Sequence, residues 1–215
     1  MPNDDLTIRL VNATTRDRRL IVYQTNAVQA SNDTNLLYVW DSRLLGAQGG
    51  QAGLSLPIAF AVAGMIGGPP DFTLSASQPG VYGQCWSLQQ ADAGKPLSLS
   101  PCTMPPTDGS SLAVENGVSF ARRSGVILKA SRLLFGAEIV PNGRAVYQVL
   151  PSFWVAVSDL KRGDLIPQLP PAASTCQVPY SVPSAVTEYV VTLTEKPGTG
   201  ELVFTVQEVV TPKRR

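Results

Sequence analysis

Apolar and polar residues alternate along short segments of this sequence from its start to its end. Leu6, Ile8 and Leu10 would share one face of an extended segment, with Thr7 and Arg9 on the other. Successive side chains of a β-strand point to opposite faces, so a period of two predicts a strand with one buried face. Roughly ten to thirteen segments of this kind follow one another between turn residues, at the spacing of sandwiches and barrels.

This pattern predicts an all-β protein with few or no helices. We expect one domain over residues 1–215, a two-sheet antiparallel β-sandwich with jelly-roll-like or Greek-key connections. The chain has 18 Gly and 18 Pro residues, spread as turns between strands require. Neither an internal repeat nor a domain linker is evident.

The last hairpin is the clearest of the predicted local structures. The turn at 196–200, Lys-Pro-Gly-Thr-Gly, separates two alternating segments. Their apolar residues are Tyr189, Val191, Leu193, Leu202, Phe204 and Val206. Pro141-Asn142-Gly143 predicts a second hairpin turn, since Asn and Gly accept a positive φ. The polar, Pro-rich segment Ala91–Ser111 predicts a long exposed loop.

The sequence contains no histidine. This excludes Ser-His and Cys-His nucleophilic arrangements, the commonest general base and most transition-metal sites. The Gly pairs at 49–50 and 67–68 lack the Lys-Ser/Thr of a phosphate loop. We therefore predict a protein that is not an enzyme and has no catalytic residues, no metal and no cofactor.

Paired carboxylates are the remaining catalytic option. Asp41, Glu138, Asp159 and Glu188 are the candidates for a glycosidase-like pair. Nothing in the sequence brings two of them together, so surface charge and loop capping is the preferred interpretation.

Charged residues make up 15% of the chain and the net charge is +1. About 25% is typical of soluble domains, so repulsion between copies is weak. A poorly soluble monomer would have the same composition. We favour a structural protein that assembles with itself into a homo-oligomer or polymer. The final strand, with Leu202, Phe204 and Val206, is the candidate assembly edge because an unpaired edge can add another strand.

The tryptophans suggest an alternative function, a carbohydrate- or small-ligand-binding module. Trp86 and Trp154 are the candidate ligand-binding residues, because aromatic rings stack on sugars. Trp40 ends an apolar strand and is expected in the core. The competing interpretation of all three is packing.

The three cysteines form no C-x-x-C pair, so a zinc or redox motif is unsupported. Three reduced, buried thiols are the favoured interpretation. A bridge between Cys85 and Cys102 that leaves Cys176 free is the alternative.

The sequence predicts neither a membrane nor a nucleic-acid partner. The acidic start is unlike a signal peptide, and Leu56–Ile66 is too short to span a bilayer. We expect a cytoplasmic protein, or an extracellular one if a leader was removed. Lys213-Arg214-Arg215 carries too few charges for nucleic-acid binding. The glycan acceptor patterns at Asn12 and Asn32 are interpreted as chance matches.

Four short stretches are informative together: 6–12 (LTIRLVN), 21–26 (IVYQTN), 37–41 (LYVWD), and 151–156 (PSFWVA) with 162–164 (RGD). They resemble RhiA-like bacterial proteins, which are named after a rhizosphere-expressed protein. That family pairs a Val-Asn-Asn strand with a Tyr-Gln-Thr or Phe-Gln-Lys strand and has a Trp-containing strand soon after. Ala13 departs from the family pattern. The resemblance implies a non-enzymatic β protein and carries over no functional residues.

Overall fold

A computed structural model describes residues 5–27, 35–57, 59–67, 72–92, 94–103, 109–128, 132–179 and 186–210. The structure is 61% strand, which confirms the all-β prediction. A 3-10 turn at Ala172–Ser174 is the one helical element described. No described helix has the length and apolar character to cross a bilayer.

The described strands number seventeen, more than the sequence predicted. In chain order they are β1 (Asp5–Asn12), β2 (Arg18–Tyr23), β3 (Asn35–Leu37), β4 (Asp41–Leu45), β5 (Gly50–Pro57), β6 (Phe60–Ile66), β7 (Thr73–Pro79), β8 (Cys85–Gln89), β9 (Ser98–Pro101), β10 (Leu112–Asn116), β11 (Arg122–Leu128), β12 (Arg132–Ile139), β13 (Arg144–Tyr147), β14 (Ser152–Val157), β15 (Thr175–Pro179), β16 (Val186–Glu195) and β17 (Leu202–Val210).

These strands form four sheets, where the sequence predicted two. The sheet orders are β17-β16-β1-β5, β15-β14-β2-β4, β13-β10-β8-β9 and β3-β12-β11-β6-β7. The predicted antiparallel pairing holds except at two places, because β1 pairs parallel with β16 and β10 pairs parallel with β8.

The four sheets divide into two units of the same design. The central unit consists of β6 to β13, which are consecutive in the chain. The flanking unit takes β1, β2, β4 and β5 from the start of the chain and β14 to β17 from its end. The sheet β5-β1-β16-β17 of the flanking unit corresponds, strand by strand, to β13-β10-β8-β9 of the central unit. In the same way, β4-β2-β14-β15 corresponds to β12-β11-β6-β7. Corresponding strands have the same neighbours and the same relative directions. The fold is therefore duplicated, with β3 as an extra edge strand.

Matching residues support the duplication. Arg18-Arg19 begins β2 and Arg122-Arg123 begins β11. Phe-x-Val-Ala occurs at 153–156 in β14 and at 60–63 in β6. Gln48 and Asn142, which precede β5 and β13, have φ of 56° and 57°. No repeat was recognised in the sequence, and the structure corrects that interpretation.

One main core joins both units. Leu10 and Val155 of the flanking unit belong to the same buried cluster as Leu88 and Phe135 of the central unit. Two smaller clusters surround Tyr23 and Tyr38.

Two local predictions need correction and one is confirmed. The exposed loop predicted at Ala91–Ser111 contains β9. The turn at 141–143 forms, but β12 and β13 belong to different sheets, so it joins two sheets and closes no hairpin. The final hairpin is confirmed, with β16 and β17 antiparallel around the turn at 196–200.

Candidate functional site

The strand β17 lies at the edge of its sheet, with β16 on its inner side. No strand pairs with its outer side among the residues that the structure describes. Half of the backbone N–H and C=O groups of an edge strand point away from its neighbour, and they can pair with another chain.

The other described edge strands have features that discourage such pairing. Pro is the last residue of β5, β7, β9 and β15, and Pro cannot donate to a ladder. The remaining edges, β3, β4 and β13, have five residues or fewer. β17 has nine residues, no Pro, no Gly and one charge, Glu208.

The side chains of β17 are partly buried at the start of the strand and more exposed toward its end. Leu202 and Phe204 are partly buried against the main core, whereas Val206 is 37% exposed and Val210 is 56% exposed. The predicted assembly residues thus lie together on an edge strand with an apolar, solvent-accessible end.

Trp86 lies in β8 and is half-buried against the main core. Its register partners are Val114 and Pro101. It lines a cavity of about 210 Å³ with Gln84, Pro101 and the Cys85–Cys102 bridge. Within the described ranges its indole Nε1 is buried without a hydrogen-bond partner.

The other two tryptophans pack in the flanking unit. Trp154 is half-buried against the cluster that contains Tyr23 and Ile166. Trp40 is 1% exposed, as expected of a core residue, and the guanidinium of Arg132 lies 5.1 Å from its ring centroid. Trp86 and Trp154 lie in different units.

Three of the four candidate carboxylates are paired with arginines. Asp41 is buried, and its Oδ2 accepts hydrogen bonds from Arg132 at 2.9 Å and Arg43 at 3.2 Å. The other pairs are Glu138 with Arg123 at 2.7 Å and Glu188 with Arg9 at 3.1 Å.

The carboxylates lie on different elements. Arg132, the partner of Asp41, lies six residues before Glu138 on β12. Six residues of strand span about 20 Å. Asp159 is exposed after β14. The structure therefore places three of the four carboxylates in separate ion pairs and leaves Asp159 exposed to solvent.

The favoured interpretation of three reduced thiols is wrong, because Cys85 and Cys102 form a disulfide with Cα atoms 5.2 Å apart. The register of β8 and β9 pairs Trp86 with Pro101, so the cysteines beside them are adjacent. The carboxylate of Glu115 lies within 4.8 Å of both sulfurs, but bonded sulfurs are not thiolate ligands.

Cys176 is free and half-buried in β15. Burial raises the pKa of its thiol to about 12, even though a backbone hydrogen bond opposes the shift. Burial, with a smaller contribution from Cys176, raises the pKa of Tyr23 to about 12. The thiol is therefore protonated and unreactive near neutral pH.

A second cavity was missed in the sequence. It has a volume of about 500 Å³ and lies in the central unit, where Lys95, Arg122, Arg123 and Glu138 line it. Its residues come from β6, β11, β12 and the turn after β8, so only the strand pairing brings them together.

The two glycan acceptor patterns and the basic tail have different outcomes. Asn12 is fully buried and its side chain is hydrogen-bonded, so it is not an acceptor in the folded protein. Asn32 and the tail 213–215 lie outside the described residues.

Comparison with known proteins does not assign the chain to a family. No protein-family model matches the chain, and no curated protein matches it significantly. The likeness to RhiA-like proteins stays a resemblance of short motifs.

Proposed function

We propose that this protein is a non-enzymatic structural protein that assembles with copies of itself through the edge strand β17. The observation that carries the proposal is the contrast between β17 and the other described edges. It is the longest, it lacks Pro and Gly, and Val206 is exposed on it. Edge strands of proteins that stay monomeric are usually short, interrupted or charged.

The composition supports the same function. A net charge of +1 and a charged fraction of 15% leave little repulsion between copies. Proteins with β-sheets use main-chain hydrogen bonds for strand addition and side-chain contacts for selectivity.

The simplest assembly is a twofold antiparallel pair of β17 strands centred on Val206. In that register Phe204 faces Glu208 of the other copy and Leu202 faces Val210 of the other copy. No two like charges are opposed, because Glu208 is the strand's one charge. Two four-stranded sheets would join into one of eight strands, and closed twofold pairing is the commonest protein assembly.

Light scattering coupled to size-exclusion chromatography tests the proposal over a range of concentrations. The unchanged protein is expected to associate, and Val206→Lys is expected to be monomeric because Lys on an edge opposes strand addition. Gln51→Lys is the matched control, since Gln51 is exposed on β5 at the opposite edge of the same sheet. A monomeric unchanged protein, or equal association of Val206→Lys, would contradict the proposal.

A second candidate function is binding of a carbohydrate or another small ligand at Trp86. The observation that favours it is the cavity beside the disulfide, which both Trp86 and Gln84 line. The test is tryptophan fluorescence on titration with mono- and oligosaccharides. A saturable change that Trp86→Phe removes and Trp154→Phe leaves supports binding there. No change, or loss in Trp154→Phe alone, excludes it.

A further inference from the structure

The cavity of the central unit has an excess of positive charge. Among its described lining residues, Lys95, Arg122 and Arg123 are cationic and Glu138 is the one carboxylate. Its volume of about 500 Å³ is that of a small-molecule site. Its apolar side chains are those of Met65, which is almost fully buried, and Ile66, which is exposed.

Arg122 is held in place before any ligand arrives. Its Cζ lies 3.5 Å from the ring centroid of Phe120, and its Nη2 donates to Oε1 of Gln90 at 2.5 Å. Stacking and hydrogen bonding fix a long side chain that would otherwise lose rotamer freedom on binding.

Gln90 also connects Arg122 to the turn that carries Lys95. Its Nε2 donates to the carbonyl of Lys95 at 2.5 Å. The ammonium group of Lys95 has neither a hydrogen bond nor an ion pair with the part of the chain that the structure describes. This cation is available to a ligand.

Arg123 is held from two sides. It donates to Glu138 at 2.7 Å and to the carbonyl of Gly67 at 2.5 Å. Glu138 neutralises one cation, so two positive charges in the cavity lack a carboxylate partner. Guanidinium groups bind planar or tetrahedral oxyanions through paired N–H donors.

The duplicated fold supplies an internal comparison. Arg18-Arg19 occupies the position of Arg122-Arg123 in the flanking unit. Leu193 pairs with Asn12 as Leu88 pairs with Asn116, so Glu195 corresponds to Gln90. Asp17 likewise corresponds to Ala121, since each precedes its arginine pair.

The positions of Gln90 and Ala121 are therefore carboxylates in the flanking unit, where Glu195 accepts a hydrogen bond from Thr15 and Asp17 accepts one from the backbone N–H of Ala47. The central unit has no carboxylate at either position. Only Glu138 is added there, at the position that Leu44 has in the flanking unit. Across these three pairs of equivalent positions, the central unit therefore has one carboxylate where the flanking unit has two.

We propose that this cavity, which we call the cationic cavity, binds a small organic oxyanion: a carboxylate or phosphate group held by Arg122 and Lys95, with an apolar portion against Ile66. The site is separate from β17 and does not depend on self-assembly.

Isothermal titration calorimetry of the full chain at low ionic strength tests the proposal. The probes are benzoate, glucuronate and inorganic phosphate, with benzyl alcohol and glucose as neutral counterparts. We expect saturable binding of at least one anion, weaker at high salt because the contacts are electrostatic. The strongest binder distinguishes an apolar carboxylate from a sugar acid or a phosphate.

The variants restore the charge of the flanking unit and leave the arginines in place. Ala121→Asp should raise the dissociation constant at least tenfold, whereas the isosteric, neutral Ala121→Asn should leave it within about twofold. Gln90→Glu and Lys95→Gln should each weaken binding. Thermal unfolding of each variant establishes that it is folded.

Three results would overturn the proposal. They are binding of no anion, equal binding of the neutral counterparts, and unchanged affinity in folded Ala121→Asp.

Discussion

Asn12 and Asn116 occupy equivalent positions in the two units and make the same hydrogen bonds. Each Oδ1 accepts the backbone N–H two residues ahead, that of Thr14 at 3.1 Å or Val118 at 3.0 Å. Each Nδ2 donates to the carbonyl four residues ahead, that of Arg16 or Phe120. It also donates to the carbonyl of the last residue of a strand in the other sheet, Leu45 of β4 at 3.0 Å or Ile139 of β12 at 2.9 Å. Each asparagine therefore closes the turn between two sheets of its unit.

Replacing either asparagine should destabilise the protein. Asn12→Ala and Asn116→Ala each leave buried carbonyls without a donor, so we expect the free energy of unfolding to fall by about 2 to 4 kcal/mol. Urea denaturation measures the change. Asn142→Ala is a useful contrast, because it keeps these bonds and alters only a positive-φ turn position. A loss below about 0.5 kcal/mol in both Asn variants would contradict the role assigned to them.

Asp41 links the two units through Arg132 and should matter more than surface pairs. Asp41→Asn leaves Arg132 and Arg43 without a carboxylate. We expect the free energy of unfolding, measured in urea, to fall by about 2 to 3 kcal/mol. This is less than for a fully buried pair, because both arginines are partly exposed. Glu201→Gln, which breaks the exposed pair with Lys196, should cost less than about 1 kcal/mol. Equal effects would contradict this account.

Reduction of Cys85–Cys102 should destabilise the fold without unfolding β17. The bridge closes a loop of 17 residues, and the chain-entropy estimate for a loop of that size is about 3 kcal/mol. Unfolding with and without dithiothreitol measures the difference. The double variant Cys85→Ala/Cys102→Ala should match the reduced protein and should not respond to reductant; a response would implicate Cys176.

Stability should fall in alkali as buried acids ionise. The pKa of the Cys176 thiol rises from 9.0 to about 12 on folding and that of Tyr23 from 10.0 to about 12. Between these values the unfolded chain loses protons that the folded chain retains, so the free energy of unfolding decreases as the pH rises from about 9 to about 12. Urea unfolding across that range checks the slope, and Cys176→Ala should flatten it. An unchanged slope in that variant would contradict the assignment.

Local alternation was enough to predict β1 and β16, because each has one buried face. The same alternation predicted β17, although none of its residues is fully buried. It could not predict sheet order. The parallel pairing of β1 with β16 joins opposite ends of the chain, and no local pattern records which distant strand will be a neighbour.

The duplication escaped sequence inspection for a physical reason. The matching residues are few, and their spacing differs between regions: Asn12 and Asn116 are 104 positions apart, whereas Leu45 and Ile139 are 94 apart. In addition, β1 and β2 pair with strands from the end of the chain, so neither unit is one half of the sequence. The cationic cavity was missed because it depends on the pairing of β11 with β6 and β12 in the central unit, which no local pattern records.

Hydrogen exchange of the β17 amides at increasing protein concentration tests the self-assembly account most directly. We predict that outward-facing amides of β17, close to half of the strand, exchange more slowly as concentration rises, because pairing with a second copy protects them. Amides of β5, at the opposite edge of the same sheet, should exchange at a constant rate. Exchange in β17 that does not depend on concentration, or protection that grows at another edge, would contradict the account.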